Sequence, residues 1–187
     1  MTAIPLSPLE SDPAGEPSAM HERSAARLAA VQALYQIEAS QTPHEVVIKD
    51  FLIGRLGGLA VAEDAETAQE SNVALATLDS ELFISIVRCV QSRSADIDQM
   101  IKGALAAEWP WERLEMTLRA ILRCGVAELL TRTDVPGRAT ISEFVDVAHA
   151  FYAGAEPRMA NAVLDRIAKV LGRVEERGAA EGPEATP

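Results

Sequence analysis

The chain has 187 residues, of which 48% are hydrophobic and 24% charged, enough apolar material for one soluble domain and too much for wholesale disorder. Its formal net charge of -11 argues against a protein that binds nucleic acid through its overall field. That deficit is unevenly spread. Residues 1–20 hold Glu10, Asp12 and Glu16 without a base, residues 175–187 hold four Glu against Arg177, and residues 62–82 hold six acids without a base. The rest of the body sums to about +1 by this partition, so a local basic surface is allowed.

The first twenty residues carry Pro5, Pro8, Pro13 and Pro17, have no basic start and no continuous apolar run, and read as a disordered tail rather than a signal peptide. Ala and Leu are abundant and alternating patterns scarce, so helices are expected nearly everywhere after it, and no strands. The first helix runs from about His21 to Ala39, with Leu28, Val31, Leu34 and Tyr35 at helical spacing and Arg23 and Arg27 one turn apart. A second runs from Pro43 to about Leu56, ended by Gly57 and Gly58. The acidic stretch that follows reads as a loop or poorly ordered insertion, about residues 62–77. A third helix from about Leu78 buries Leu82, Phe83, Ile86, Val87 and Val90, and a fourth from about Ala95 uses Ile97, Ile101 and Leu105.

After Pro110 a long fifth helix, Trp111 to Arg132, places Leu114, Leu118, Ile121, Leu122, Val126 and Leu129 on a broad inner face. Thr140-Ile-Ser-Glu143 matches a capping box and opens a sixth helix that buries Phe144, Val147 and Phe151. Pro157 suits the start of a seventh, with Val163, Leu164, Ile167 and Leu171 as its stripe and Gly172 as its stop. The fold class is therefore all-α, a compact bundle of about seven helices over residues 21–172, with a second acidic tail over 173–187.

Chemistry is sparse. There is no phosphate-binding loop, dinucleotide fingerprint or zinc-protease signature, so no catalytic residue, metal ligand or cofactor is expected. Glu143, Asp146 and His149 share one helical face at a spacing seen in metal sites, but a solvated acidic face explains them more simply. Cys89 and Cys124 sit inside apolar patterns as small hydrophobes. Trp109-Pro-Trp111 reads as a hydrophobic plug at a helix junction rather than a base-stacking platform. Asn161 is expected to bond backbone at a helix packing contact, and Tyr35 to bury its ring. The 14 Arg against 3 Lys suit phosphate and carboxylate equally. A reducing cytoplasm suits the two cysteines.

Three stretches in register carry a resemblance: Arg23-Ser-Ala-Ala-Arg27 leading into Ala30-Val-Gln-Ala-Leu-Tyr35; Leu118-Arg-Ala-Ile-Leu-Arg123 through Ala127-Glu-Leu-Leu130 to Asp134-Val-Pro136; and Ile141-Ser-Glu143 followed by Asn161-Ala-Val-Leu-Asp165. Together they resemble the NusB family of bacterial antitermination factors over about residues 21–171. The resemblance implies a seven-helix, non-catalytic protein that binds boxA RNA with NusE, a small-subunit ribosomal protein, in a complex on RNA polymerase. It implies RNA contacts at Arg23, Arg27 and Arg158, and partner contacts at Tyr35 and at Leu118, which stands where relatives often carry Glu. A reading of another class is a helical protein-interaction module, such as a homodimer, that has lost RNA binding.

Overall fold

A computed structural model describes residues 19–54, 59–63, 70–74 and 78–174. The elements are α1 (Ala19–Ser40), α2 (His44–Leu52), β1 (Leu59–Glu63), β2 (Glu70–Ala74), α3 (Ser80–Ser92), α4 (Ser94–Ala104), a 3-10 turn (Trp111–Arg113), α5 (Met116–Thr131), α6 (Gly137–Phe151) and α7 (Glu156–Val170). Seven helices make the fold all-α. The expectation of no strands is corrected locally, because β1 and β2 form a two-stranded antiparallel ribbon with Leu59 opposite Ala74 and Glu63 opposite Glu70. Residues 64–69 and 75–77 of the expected insertion, and the tails over 1–18 and 175–187, lie outside the described residues.

Helix α5 is the central element, packing against α1, α3, α4, α6 and α7. Its buried residues run all round it, including Leu118, Ile121, Leu122, Cys124, Val126 and Leu129. A helix enclosed by five neighbours is apolar around most of its circumference, and its two arginines, Arg119 and Arg123, stay only part-buried. Gly125 lets α7 come close: a Cβ there would lie 2.8 Å from Leu164 Cδ2. The α1 contribution is a seam of small residues, Ala26, Ala29, Ala30 and Ala33, with Val31 and Leu34. Phe51 of α2 stacks on Phe83 of α3 at 5.5 Å between centroids, fixing that corner.

Several boundaries differ from the sequence expectation for identifiable reasons. Helix α2 stops at Leu52, and Gly54 takes a left-handed φ of 71° in the turn after it, so the helix ends about one turn before the expected end near Leu56. The fifth helix is split: the turn at Trp111–Arg113 is followed by extended backbone at Leu114 and Glu115, which drops Leu114 into the core before α5 begins. Helix α3 starts at Ser80 because the Asp79 carboxylate accepts the Leu82 N–H at 2.9 Å. The capping box at Thr140 is not formed. Helix α6 starts three residues earlier at Gly137, with Pro136 before it, so Thr140 is an interior residue whose hydroxyl turns to Glu128. Phe151 is 44% exposed rather than buried, at the last turn of α6.

Order also continues past Gly172. The Arg173 guanidinium donates to three main-chain carbonyls at the end of α5 and beyond: Leu129, Arg132 at 2.7 Å and Val135 at 2.5 Å. The Leu129 carbonyl is one that the end of α5 leaves without an intrahelical partner. Val174 then covers Gly137, where a Cβ would meet the Arg173 carbonyl oxygen at 2.6 Å. This closes one end of the bundle. No helix among the described residues is long and apolar enough to cross a membrane.

Candidate nucleic-acid interface

The connectivity decides which arginines share a surface. Arg27 of α1 reaches Glu128 near the end of α5, while Glu38 at the other end of α1 reaches Arg119 and Arg123 near the start of α5, so the two helices are antiparallel. Arg173 contacts the end of α5, so α7 runs parallel to α5. Arg23 therefore sits at the end where α5 finishes, and Arg158 at the end where α7 begins. Within α7 twelve residues separate Arg158 from Val170, about 18 Å of helix. The sequence candidates for one RNA patch thus stand at opposite ends of the bundle.

Arg23 is available to solvent. Its side chain is half exposed and lies 4.0 Å from Asp79, a loose contact. Arg158 is exposed on the first turn of α7 and makes no ion pair among the described residues. It rims a cavity of about 370 Å³ with Trp109, Met159 and Arg166, and Arg166 is held by the Ala104 carbonyl at 2.6 Å. Met159, adjacent in sequence, is 7% exposed.

Arg27 does not share that availability. It is 4% exposed, and its Nε and Nη2 donate to the two oxygens of Glu128 at 2.9 and 2.6 Å. Its Nη1 donates to Glu143 Oε2 at 2.9 Å, an oxygen that also accepts the Ser24 hydroxyl at 2.7 Å. Glu128 is fully buried and takes a longer contact of 3.4 Å from Thr140. Burial by itself would pull the Arg27 pKa down, but the bonds and charges of Glu128 and Glu143 reverse this and leave it raised. Arg27 is thus a buried ion-pair partner rather than a surface cation, a correction to the expected phosphate contact.

The other two candidates divide in the same way. Tyr35 is 46% exposed, so its ring is not buried and it can meet a partner. Leu118 is 2% exposed in the core cluster, so it offers no partner surface: on α5 that position points inward. Asn161, expected at a packing contact, is instead exposed. It lines a groove of about 540 Å³ between α6 and α7 with Arg138, Ser142, Asp165 and Lys169, floored by Ile141 and Val145. Arg138 makes no ion pair among the described residues, although Lys169 binds Asp165 at 2.7 Å.

Sequence reasoning missed two arrangements. Arg123 binds Asp98 twice, at 2.7 and 2.8 Å, and Glu38 at 2.7 Å, while Arg119 binds Glu38 at 2.8 Å. The Trp111 ring is surrounded by these cations, with Arg123 and Lys102 each 5.3 Å and Arg119 5.8 Å from its centroid. Trp111 is therefore an internal cation-π anchor joining α4 and α5. The second is Glu128, whose only sequence signal was a carboxylate among the apolar residues of the second half of α5. Among the described residues no group of three or more His, Cys, Asp or Glu could hold a metal. Glu143 is engaged with Arg27 and Ser24, and His149 is exposed on the same helix.

The model of the NusB family matches residues 24–169. Among curated proteins the chain is 48% identical over 152 residues to the transcription antitermination protein NusB of Rhodospirillum rubrum, covering 78% of this chain and 82% of that protein. It is also 48% identical over 147 residues to the protein of that name from Sphingopyxis alaskensis, covering 79% and 92%. Among solved structures, NusB of T. maritima aligns with a TM-score of 0.60 at 26% identity, covering 79% of this chain and 90% of that one. A structure titled as antitermination factors NusB and NusE in complex with double-stranded RNA aligns with the same TM-score at 20% identity, which speaks to the fold alone.

Proposed function

The chain belongs to the NusB family, and on that footing we propose that it is a cytoplasmic, non-catalytic transcription antitermination factor that binds boxA RNA together with NusE on RNA polymerase. The observation that carries the reading is the family match over residues 24–169, which spans the bundle from the start of α1 to the end of α7. The free, buried cysteines Cys89 and Cys124 suit a reducing compartment such as the bacterial cytoplasm.

The RNA surface in this reading uses Arg23 and Arg158 as phosphate ligands, with Tyr35 toward the protein partner. A single strand rising about 3.4 Å per stacked nucleotide needs roughly five nucleotides to run the length of α7 beyond Arg158. The two arginines therefore touch different parts of one RNA rather than one phosphate cluster. Two contacts are few. For single strands each displaces counterions worth a slope of about 0.7 in log affinity against log salt, so the chain alone binds with a slope near about -1.4. A basic partner adds contacts and steepens it.

The test is a fluorescence-anisotropy titration of boxA RNA at several salt concentrations, with and without NusE. Arg23→Gln and Arg158→Gln should each weaken binding and flatten the slope by about 0.7. RNA binding that is absent under both conditions would remove the proposal and favour an interaction module that has lost RNA. A slope indifferent to both substitutions would remove the assigned surface.

A further inference from the structure

Arg23 and Arg27 are one helical turn apart on α1, yet one faces solvent and the other the interior. What fixes that first stretch of α1 is a set of contacts from α5, α6 and the segment before α3. The Asp79 N–H donates to the Glu22 carbonyl at 3.1 Å, Arg27 grips Glu128, and Ser24 and Arg27 converge on Glu143 Oε2. Glu128 is fully buried with both oxygens engaged by Arg27, so this pair is a fixed counterweight. Glu143 is different: its side chain is 29% exposed, and one of its oxygens serves two residues of α1 three positions apart.

We infer that Glu143 is a positioning residue for RNA binding, fixing the direction of the start of α1 through Ser24 and Arg27 so that Arg23 meets phosphate. Glu143 does not itself touch RNA, and Arg27 acts from inside the fold. The inference rests on the RNA-binding reading above. Electrostatics gives it a sign that separates it from the simpler view of Glu143 as a surface charge. A carboxylate close to a phosphate-binding arginine repels RNA, so by charge alone its removal tightens binding. As a positioning residue its removal weakens binding, because Arg23 must then be ordered at the moment of contact.

The experiment titrates boxA RNA against the full chain with NusE present, for wild type, Glu143→Ala, Glu143→Gln, Arg23→Gln and the double variant Arg23→Gln/Glu143→Ala. Thermal unfolding of each variant establishes that it is folded at the assay temperature. Glu143→Ala is expected to weaken binding by roughly threefold to tenfold, bounded by the loss of one phosphate contact. Glu143→Gln, which keeps an acceptor for Ser24 and Arg27 but no charge, restores most of that loss. In the Arg23→Gln background Glu143→Ala adds no further weakening, giving a non-additive cycle. Unchanged or tighter binding by Glu143→Ala overturns the inference, as does equal weakening with and without Arg23. If wild type binds RNA and Glu143→Ala is indifferent, only this inference fails; if wild type binds no RNA, the functional reading fails and this falls with it.

Discussion

Replacing Arg27 by Met tests whether the buried pair behaves as the geometry requires. The Arg27 and Glu128 side chains are 5% and 0% exposed, so solvent screening gives little discount. Removing the guanidinium strips Glu128 of both close bonds and leaves it the 3.4 Å contact from Thr140. Breaking one side of a buried pair costs about 3–5 kcal/mol, because a charge remains in the interior without compensation. For a domain of this size that is a fall of about 6–20 °C in Tm. The assay is urea and thermal unfolding followed by far-ultraviolet circular dichroism. A double variant sharpens it. Arg27→Met/Glu128→Met removes both charges and recovers most of the loss, since well-packed apolar residues replace buried pairs at little cost. A loss under about 1 kcal/mol, or a double variant no more stable than the single, would refute the reasoning.

Three further outcomes follow from single contacts. Gly137→Ala drives a Cβ to 2.6 Å from the Arg173 carbonyl oxygen, a main-chain atom, and costs about 1–3 kcal/mol in urea unfolding, whereas the close contacts of Gly125→Ala are Leu164 methyl ends, with the Phe144 ring at an ordinary 3.4 Å, and it costs less. Arg132 and the Asp134 backbone hold the Asp134 carboxyl at about 2, so the stability it contributes is present above the usual carboxylate pKa and is lost as pH falls toward 2; carboxyl NMR titration should show Arg132→Gln moving it back up. Burial raises the Cys124 thiol well above its ordinary pKa and also raises that of Cys89, so a maleimide should label neither in the native protein at neutral pH and both in denaturant; rapid native labelling of Cys124 would contradict its complete burial.

The fold was legible in the sequence wherever apolar spacing had one answer. The stripes of α3 and α7 and the inner face of α5 are buried as spaced, from Leu82 and Phe83 to Leu164 and Ile167. It was illegible where a polar residue had two uses. Thr140 and Glu143 match a capping box in type and spacing, but that pattern cannot tell a cap from side chains turned toward Glu128 and Arg27 on other helices. Arg27 shows the same ambiguity from the other side, because a guanidinium fork fits carboxylate as well as phosphate. What resolves it is Glu128, a residue 101 positions away whose meaning depends on α1 and α5 being antiparallel. Leu118 failed for a plainer reason: a leucine in the middle of an inner stripe belongs to the core, whatever residue relatives carry there.

The distribution of arginine partners explains how a chain rich in arginine has so few free cations. Arg88 pairs with Glu45, Arg119 and Arg123 with Glu38 and Asp98, and Arg132 with Asp134, while Arg166 and Arg173 donate to carbonyls. Guanidinium forks thus tie helix to helix and cap the end of α5, uses that a lysine's single ammonium serves poorly. Among the described residues only a few arginines, Arg113, Arg138 and Arg158 with the loosely held Arg23, lack a close acidic or carbonyl partner. Excess acid elsewhere in the chain does not cancel these local charges, since beyond about 8–10 Å at physiological salt charges are largely screened. The formal charge of -11 therefore bears on long-range steering, whereas contact affinity depends on the sparse exposed arginines. On the RNA-binding reading proposed above, a chain built this way relies on its partner for positive charge, and its own contribution lies in where the fold places the few cations it leaves exposed.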